Sequence, residues 1–378
     1  MLKVMTIVGT RPEIIRLSRV IEKLDRHCEH VLVHTGQNFD YELNEIFFQD
    51  LGIRRPDFFL EAAGDTALET IGKVIIAAER VIVEQKPQAL LLLGDTNSCL
   101  AVIAAKRHKV PIFHMEAGNR SFDFRVPEEI NRRIVDHVAD INLPYSEIAR
   151  EYLLREGLPP DQVIRTGSPM REVIEHHRPG IEASDVLRRL NLKERGYFLV
   201  SAHREETVDS PNNLRRLLDM LSAIGTRYGE PVVVSTHPRT RNRMEALGIG
   251  AMPNILFHKP FGFLDYVKLQ LSAHAVLSDS GSITEESSIM NFPALNLREA
   301  HERPEGFEEG AVMFVGLSTE SAMNALEVLE QQPRGPDRAL RLVRDYEPLN
   351  VSDKVLRIIL SYTAFVNHRV WHLPSGST

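Results

Sequence analysis

Short apolar runs that end in polar clusters recur along this chain, and most are followed by a stretch of helical period. Leu2–Val8 reads as a first strand and ends in Gly9-Thr10-Arg11-Pro12-Glu13, with a helix beginning at Pro12. His30–His34 is a second strand, followed by a polar loop, Thr35–Tyr41, and an amphipathic helix to about Leu51. Thr66–Gln85 reads as a long helix with apolar positions Leu68, Ile71, Ile75, Ile76 and Val81. Leu90–Leu93 and Val110–His114 are apolar throughout, as strands buried on both faces of a sheet are. A helix to about Arg107 lies between them, and Pro127 opens another in the favoured first position. Ile141–Leu143, a helix from Ser146 and a strand at Val163–Thr166 complete the first series.

The pattern restarts after Gly167-Ser168-Pro169. Tyr197–Ala202 runs into His203-Arg204-Glu205-Glu206-Thr207, and Val232–Thr236 into His237-Pro238-Arg239. Ile255–His258 is followed by Lys259, then Pro260-Phe261-Gly262 and a helix through Tyr266. Ala275–Ser278 runs into Asp279-Ser280-Gly281-Ser282, and Ala294–Arg298 into Glu299-Ala300-His301-Glu302-Arg303-Pro304-Glu305. This alternation implies an α/β fold, two doubly wound parallel sheets with right-handed crossovers. The expected domains are 1–168 and 169–350, with a helix at 351–370 crossing back onto the first and a frayed tail at 374–378. Two such halves face to face would put the polar clusters in one cleft between them.

The 378 residues suit two domains of ordinary size. A net charge of −7 argues against nucleic acid as a partner. No apolar run is long enough to span a bilayer and nothing resembles a signal peptide. Cys28 and Cys99 have no metal or redox spacing. A cytoplasmic enzyme without structural disulfides, and without a membrane partner, is therefore expected.

The candidate chemistry is concentrated after the strands, where ligands of open α/β sheets bind. Asp95 and Glu116 each follow a fully apolar strand, and Glu128 lies in the first turn of the Pro127 helix. Gly9-Thr10-Arg11 forms a strand, a tight turn and a helix start, which is a ready anion site with Arg11 as an added donor. An ordinary βα turn with a surface arginine explains the same residues. Asp279-Ser280-Gly281-Ser282 suits phosphates, Glu286 sits where a carboxylate can take ribose hydroxyls, and Arg303 and Arg11 supply cations from opposite domains. Together they suggest a nucleoside diphosphate; singly, each turn reads equally well as a capped helix. His203 and His237 each follow a strand. Glu128 and Arg132 share a helix face and suit a plain ion pair, while Glu129, Glu205, Glu206 and Glu285 suit solvated surface. There is no G-x-G-x-x-G, no P-loop, no H-E-x-x-H and no Asp-x-Asp, so no cofactor and no metal is expected.

Taken together, GTRPE, GDT, HMEAGNR, PEEINRR, SAHREET, SDSGSITEE and HERPEG have the order and spacing of the non-hydrolysing UDP-N-acetylglucosamine 2-epimerases, and the chain resembles that family over essentially its whole length. The resemblance implies a GT-B fold, two Rossmann-like domains facing across a cleft, and a homodimer. It also implies a UDP-sugar substrate, with Asp95, Glu116 and Glu128 as catalytic carboxylates and His203 as the catalytic histidine. Arg11, Ser280, Gly281, Ser282, Glu286 and Arg303 match the family's UDP-binding positions, and Tyr266 its aromatic near the uracil. Arg132 matches the arginine of its P-E-E-x-N-R motif. His237 joins the substrate-binding set by its place after a strand.

Some positions depart from the common family pattern. Arg16 replaces a lysine that contacts substrate, Asn119 stands in HMEAGNR, Ser282 replaces a glycine, and the loop from Arg120 to Pro127 is shorter. GTRPEIIR, SGSITEESS and REAHERPEG are more similar to the branch that makes UDP-N-acetyl-L-fucosamine from a 6-deoxy-L-talose derivative. The altered loops argue against a second, regulatory UDP-sugar site. Rival readings are a GT-B glycosyltransferase, a hydrolysing relative and a non-catalytic sugar-nucleotide sensor.

Overall fold

The computed structural model describes residues 1–37, 41–298 and 302–373, and only the backbone of 41–45. Residues 38–40 of the polar loop, Glu299–His301 and the tail from Pro374 lie outside the described residues. The chain divides into two units: Met1–Glu175 with the chain from Glu347 on, and His176–Tyr346.

The first unit is built on a parallel sheet of β1 (Lys3–Val8), β2 (Glu29–His34), β3 (Phe58–Phe59), β4 (Ala89–Leu93), β5 (Ile112–Met115) and β6 (Ile141–Leu143). Its order is β3-β2-β1-β4-β5-β6. Every residue of β4 and β5 is buried, because helices cover both faces. The core joins Met5, Ile7, Val33, Leu90, Leu92 and Ile112 to Val74, Ala78 and Val81 of the Ala67–Gln85 helix. That helix starts where Thr66 accepts a hydrogen bond from the Glu69 amide. Of the expected apolar positions, Val81 is buried and Ile71 and Ile75 pack against the core, while Leu68 is 80% and Ile76 55% exposed; Thr70, Val74, Ala78 and Ile82 complete the inward stripe. The helix Val351–Arg369 packs on the Arg11–His27 helix; Lys23 pairs with Asp353, and the Ser352 amide donates to buried Glu172.

The second unit carries β7 (Phe198–Ser201), β8 (Val232–Ser235), β9 (Ile255–His258), β10 (Val276–Ser278), β11 (Ala294–Asn296) and β12 (Met313–Phe314). Its order is β12-β11-β10-β7-β8-β9. Counted within each unit, both sheets run 3-2-1-4-5-6 or its mirror in the numbering, the dinucleotide-type winding. The order reverses between β1 and β4 in one unit and between β7 and β10 in the other. The core is Phe198, Val200, Leu277 and Leu295 against Leu214, Leu217, Leu221 and Ile224 of the Pro211–Tyr228 helix.

One expected strand is absent. Val163–Thr166 forms no strand; only Val163 bridges to Asn142, because a 3-10 turn at Pro160–Gln162 brings the chain in late at the sheet edge. The helix expected after Pro260-Phe261-Gly262 is present as Phe263–Ser272 and carries Tyr266. The edge strands β3 and β12 are two residues each and carry too little periodicity to be seen in sequence. Among the described residues no helix is long and apolar enough to cross a membrane.

Candidate active site

In the first unit two of the candidate carboxylates stand at the ends of adjacent strands, each beside an arginine. Gly94 turns the chain at the end of β4 with φ +79°, and Asp95 follows. Arg132 Nη2 lies 2.8 Å from Asp95 Oδ2, and the Asn131 side-chain amide donates to the Asp95 carbonyl at 3.0 Å. Glu116 follows β5 directly and is itself left-handed, φ +63°. An L residue rarely holds that conformation, which costs about 1 kcal/mol, and such strain collects at functional sites. Arg16 Nε lies 3.4 Å from Glu116 Oε2. Arg16 and Arg132 are both buried. Glu128 is half-buried in the first turn of the Pro127–Val138 helix. Its neighbour Glu129 is not the solvated group its sequence suggests. It is fully buried, accepts from the Ser121 amide at 3.0 Å and pairs with Arg133 at 2.9 Å, closing the short loop onto the helix.

Behind both carboxylates lies a buried ionic chain. His114 Nε2 donates to the Gly94 carbonyl at 2.7 Å, and its Nδ1 stands 3.0 Å from Asp136. Asp136 also takes Arg120 Nη1 at 2.7 Å and the Gly118 amide, and Arg120 goes on to Glu156. Burial alone would push the His114 imidazole down, but Asp136 and the Gly94 carbonyl outweigh it and raise its pKa. For Asp136, burial is outweighed by His114 and Arg120, which lower its pKa. The chain thus ties the residue before Asp95 to the turn that follows Glu116. Removing one member of a buried pair strands its partners. Asp136→Asn should therefore lower unfolding stability by about 3 kcal/mol in urea titration. His114 adds a pH signature. A raised imidazole pKa gives stability that is complete below the free imidazole value and lost as pH rises through the folded value. The deficit of His114→Gln should therefore shrink toward alkaline pH.

The Gly9-Thr10 turn is not an open anion site. The Gly9 and Thr10 amides donate to Glu13 Oε2 at 2.6 and 2.7 Å, so the helix start is filled by the chain's own carboxylate. Arg11 is half-buried and lies over the Phe47 ring.

In the second unit the same device recurs. Asp279, fully buried at the end of β10, accepts the His203 and Arg204 amides on Oδ2, both at 2.9 Å. Its Oδ1 lies 3.5 Å from His203 Nδ1. The sequence places Asp279 among phosphate contacts; here it turns inward and orients His203, leaving Ser280, Gly281 and Ser282 at the helix start. The His203 and His237 rings are 5.6 Å apart. The Ser280 and Ser282 hydroxyls are 3.0 Å apart, and Arg303 Nε would be 3.8 Å from a side-chain carbon placed on Gly281. Arg303 is buried and pairs with Glu285 at 3.1 Å. Glu285 is therefore an interior ion, not solvated surface. Glu286 accepts from Gln270 at 2.6 Å. Burial, with the Glu286 charge adding to it, pushes the Tyr266 phenol up. Gly306 of the ERPEG motif lies against Thr284, whose methyl group would collide with any added side-chain carbon.

Sequence reading missed Glu13, Asp279 and the His114–Asp136–Arg120 chain as organisers. Most of these buried ions lie in motifs already noticed, so the available signal was charged residues packed between apolar ones.

Comparison with known proteins bears on these residues as a set. Residues 22–360 match the family model described as UDP-N-acetylglucosamine 2-epimerase. The solved structure of UDP-N-acetylglucosamine 2-epimerase from Rickettsia bellii is 50% identical, with TM-score 0.92, and the match covers 99% of this chain and 100% of that one. The Methanocaldococcus jannaschii enzyme, solved in complex with UDP-GlcNAc and UDP, is 31% identical with TM-score 0.89, over 96% of this chain and 100% of that one. A Pseudomonas aeruginosa relative, UDP-2,3-diacetamido-2,3-dideoxy-D-glucuronate 2-epimerase, is 35% identical over 86% of this chain and 92% of its own.

Proposed function

Because the chain belongs to the UDP-N-acetylglucosamine 2-epimerase family, a family of isomerases with the GT-B fold, we propose that it inverts C2 of a UDP-linked N-acetylated hexosamine by eliminating and re-adding UDP. The observation that carries this reading is the pair of arginine-held carboxylates, Asp95 and Glu116, at the ends of adjacent strands.

The C2 hydrogen of such a sugar is not acidic, since C1 is an acetal. If the C1–O bond breaks with its electron pair going to UDP, C1 gains oxocarbenium character. A carboxylate then removes the C2 proton, leaving a glycal. Protonation of the opposite face and return of the UDP oxygen to C1 give the epimer, and atoms and electrons balance with nothing else consumed. The route needs carboxylates on both sugar faces and cationic or dipolar stabilisation of the departing diphosphate. Asp95, Glu116 and Glu128 fill the first role, with Arg132 and Arg16 set against two of them. Ser280, Gly281 and Ser282, with Arg303 and Arg11, fill the second. Glu286 takes the ribose hydroxyls, Tyr266 lies by the base, and His203, oriented by Asp279, attends the diphosphate with His237.

The products are precursors of surface polysaccharide in this reading, and the substrate is the 6-deoxy-L-talose derivative rather than UDP-N-acetylglucosamine. Incubation of each UDP-sugar in heavy water tests the route. Deuterium should appear at C2 of both epimers with no net loss of UDP-sugar. Epimerisation without label would overturn it. Sugar transfer to an acceptor would instead identify a glycosyltransferase, and accumulation of UDP with free sugar a hydrolysing enzyme.

A further inference from the structure

Glu13 has no part in the reaction just described, yet its carboxylate is among the most heavily used in the first unit. It is 2% exposed. Oε2 accepts the Gly9 amide at 2.6 Å and the Thr10 amide at 2.7 Å. Oε1 accepts the Thr96 hydroxyl at 2.6 Å. The two ends of this one group therefore hold different segments: the turn that carries Arg11, after β1, and the turn that carries Asp95, after β4. Those strands are the pair at which the sheet order reverses.

The surrounding contacts leave little room for another arrangement. A side-chain carbon on Gly9 would collide with the hydroxyls of Ser98 and Thr35, which are themselves 2.7 Å apart. Cys99 Sγ, 3.8 Å from Glu13 Oε1, bonds back to the Leu93 carbonyl at the end of β4. A surface glutamate at a helix start would reach only its own turn. This one crosses from helix to neighbouring strand, at the cost of burying a carboxylate. Burial raises its pKa to about 7 against the opposing pull of Thr96, Gly9 and Thr10.

We propose that Glu13 is a positioning residue, a single buried tether that fixes the Asp95–Thr96 turn relative to the Arg11 turn, and that turnover depends on the Glu13–Thr96 link. The inference rests on the epimerase reading for its effect on turnover, but the tether itself can be measured without substrate. A misplacement of reacting groups by about 1 Å can cost up to about a hundredfold in rate. Loss of the link is expected to cost turnover and not ground-state binding, since neither Glu13 nor Thr96 contacts the sugar in that reading.

Four variants of the full chain test this: Glu13→Met, which keeps the length of the side chain and removes both oxygens, Thr96→Val, the two combined, and Thr96→Ser. Amide hydrogen exchange on the unliganded proteins comes first. Thr96→Val should speed exchange at Gly9 and Thr10, across the sheet from the altered residue, whereas Thr96→Ser should not. Kinetics with UDP-N-acetylglucosamine and with UDP-2-acetamido-2,6-dideoxy-L-talose follow. Glu13→Met and Thr96→Val should each lower kcat about tenfold, with KM within about twofold. The double variant should be no slower than the worse single one, because both cut the same link, and Thr96→Ser should turn over like the parent. Multiplicative losses, losses confined to KM, or unaltered exchange at Gly9 and Thr10 would overturn the inference. Altered exchange with no turnover of either sugar by the parent would sink the epimerase reading and leave the tether standing, without its catalytic role.

Discussion

Replacing Asp95 by Asn, or Glu116 by Gln, should lower turnover by about two orders of magnitude or more while leaving UDP affinity nearly unchanged. The substitutions keep shape and remove charge. The carboxamide of the first variant would still face Arg132, and that of the second would still face Arg16. The buried guanidinium groups therefore keep a polar neighbour, and the strand ends keep their geometry. What disappears is a group able to take or return the C2 proton. UDP is gripped in this reading by Ser280, Gly281, Ser282 and Arg303 of the second unit, with Arg11 added from the first, and neither Asp95 nor Glu116 belongs to that set. Steady-state kinetics and calorimetric UDP titration separate the two effects, and melting temperature checks that Arg132 or Arg16, facing an uncharged amide, has not loosened the unit. Near-normal turnover in both variants would remove elimination as the route. Loss of UDP binding in step with turnover would mean instead that the carboxylates organise the nucleotide grip.

The winding of both sheets was legible because it depends on apolar runs of strand length alternating with helical period. Leu90–Leu93 could be little else than a strand covered on both faces. The positions of Asp95, Glu116, His203 and Asp279 after strands followed from the same pattern. What those side chains touch did not follow. Glu129 and Glu285 look like solvated glutamates in sequence, because burial of a charge depends on an arginine that the fold brings against it. The Gly9-Thr10 turn looked open to an anion for the converse reason. Its anion is four residues further along the same chain, and nothing in the spacing tells an inward Glu13 from an outward one. The left-handed backbone of Glu116 is likewise invisible, since no local preference favours it; the Gly118 amide held by Asp136 fixes the turn just beyond. Leu68 and Ile76 show the same limit for packing: Ile71, Ile75 and Val81 mark the face that meets the core, but the width of that face, which takes in Thr70 and Ala78 and leaves out Leu68 and Ile76, is not set by period.

The protein should discriminate by about a hundredfold in kcat/KM in favour of UDP-2-acetamido-2,6-dideoxy-L-talose over UDP-N-acetylglucosamine. The motivation is the group of departures from the common family pattern at Arg16, Ser282 and the stretch from Arg298. Arg16 sits against Glu116, where a guanidinium offers several donors in one plane while a lysine offers a compact charge. Ser282 adds a hydroxyl 3.0 Å from that of Ser280, narrowing the turn beside Arg303. A site for a 6-deoxy sugar has no hydroxyl to bind at C6 and is expected to be apolar there. Apolar pockets reject an added hydroxyl only modestly, by about two orders of magnitude, which sets the size of the expected ratio. Initial rates with both nucleotide sugars, measured on the same preparation by C2 inversion, decide between them. A ratio that favours UDP-N-acetylglucosamine would overturn the substrate assignment and leave the C2 epimerase chemistry untouched. The carboxylates proposed to act at C2, Asp95, Glu116 and Glu128, are common to both readings, whereas the departures at Arg16 and Ser282 favour only one.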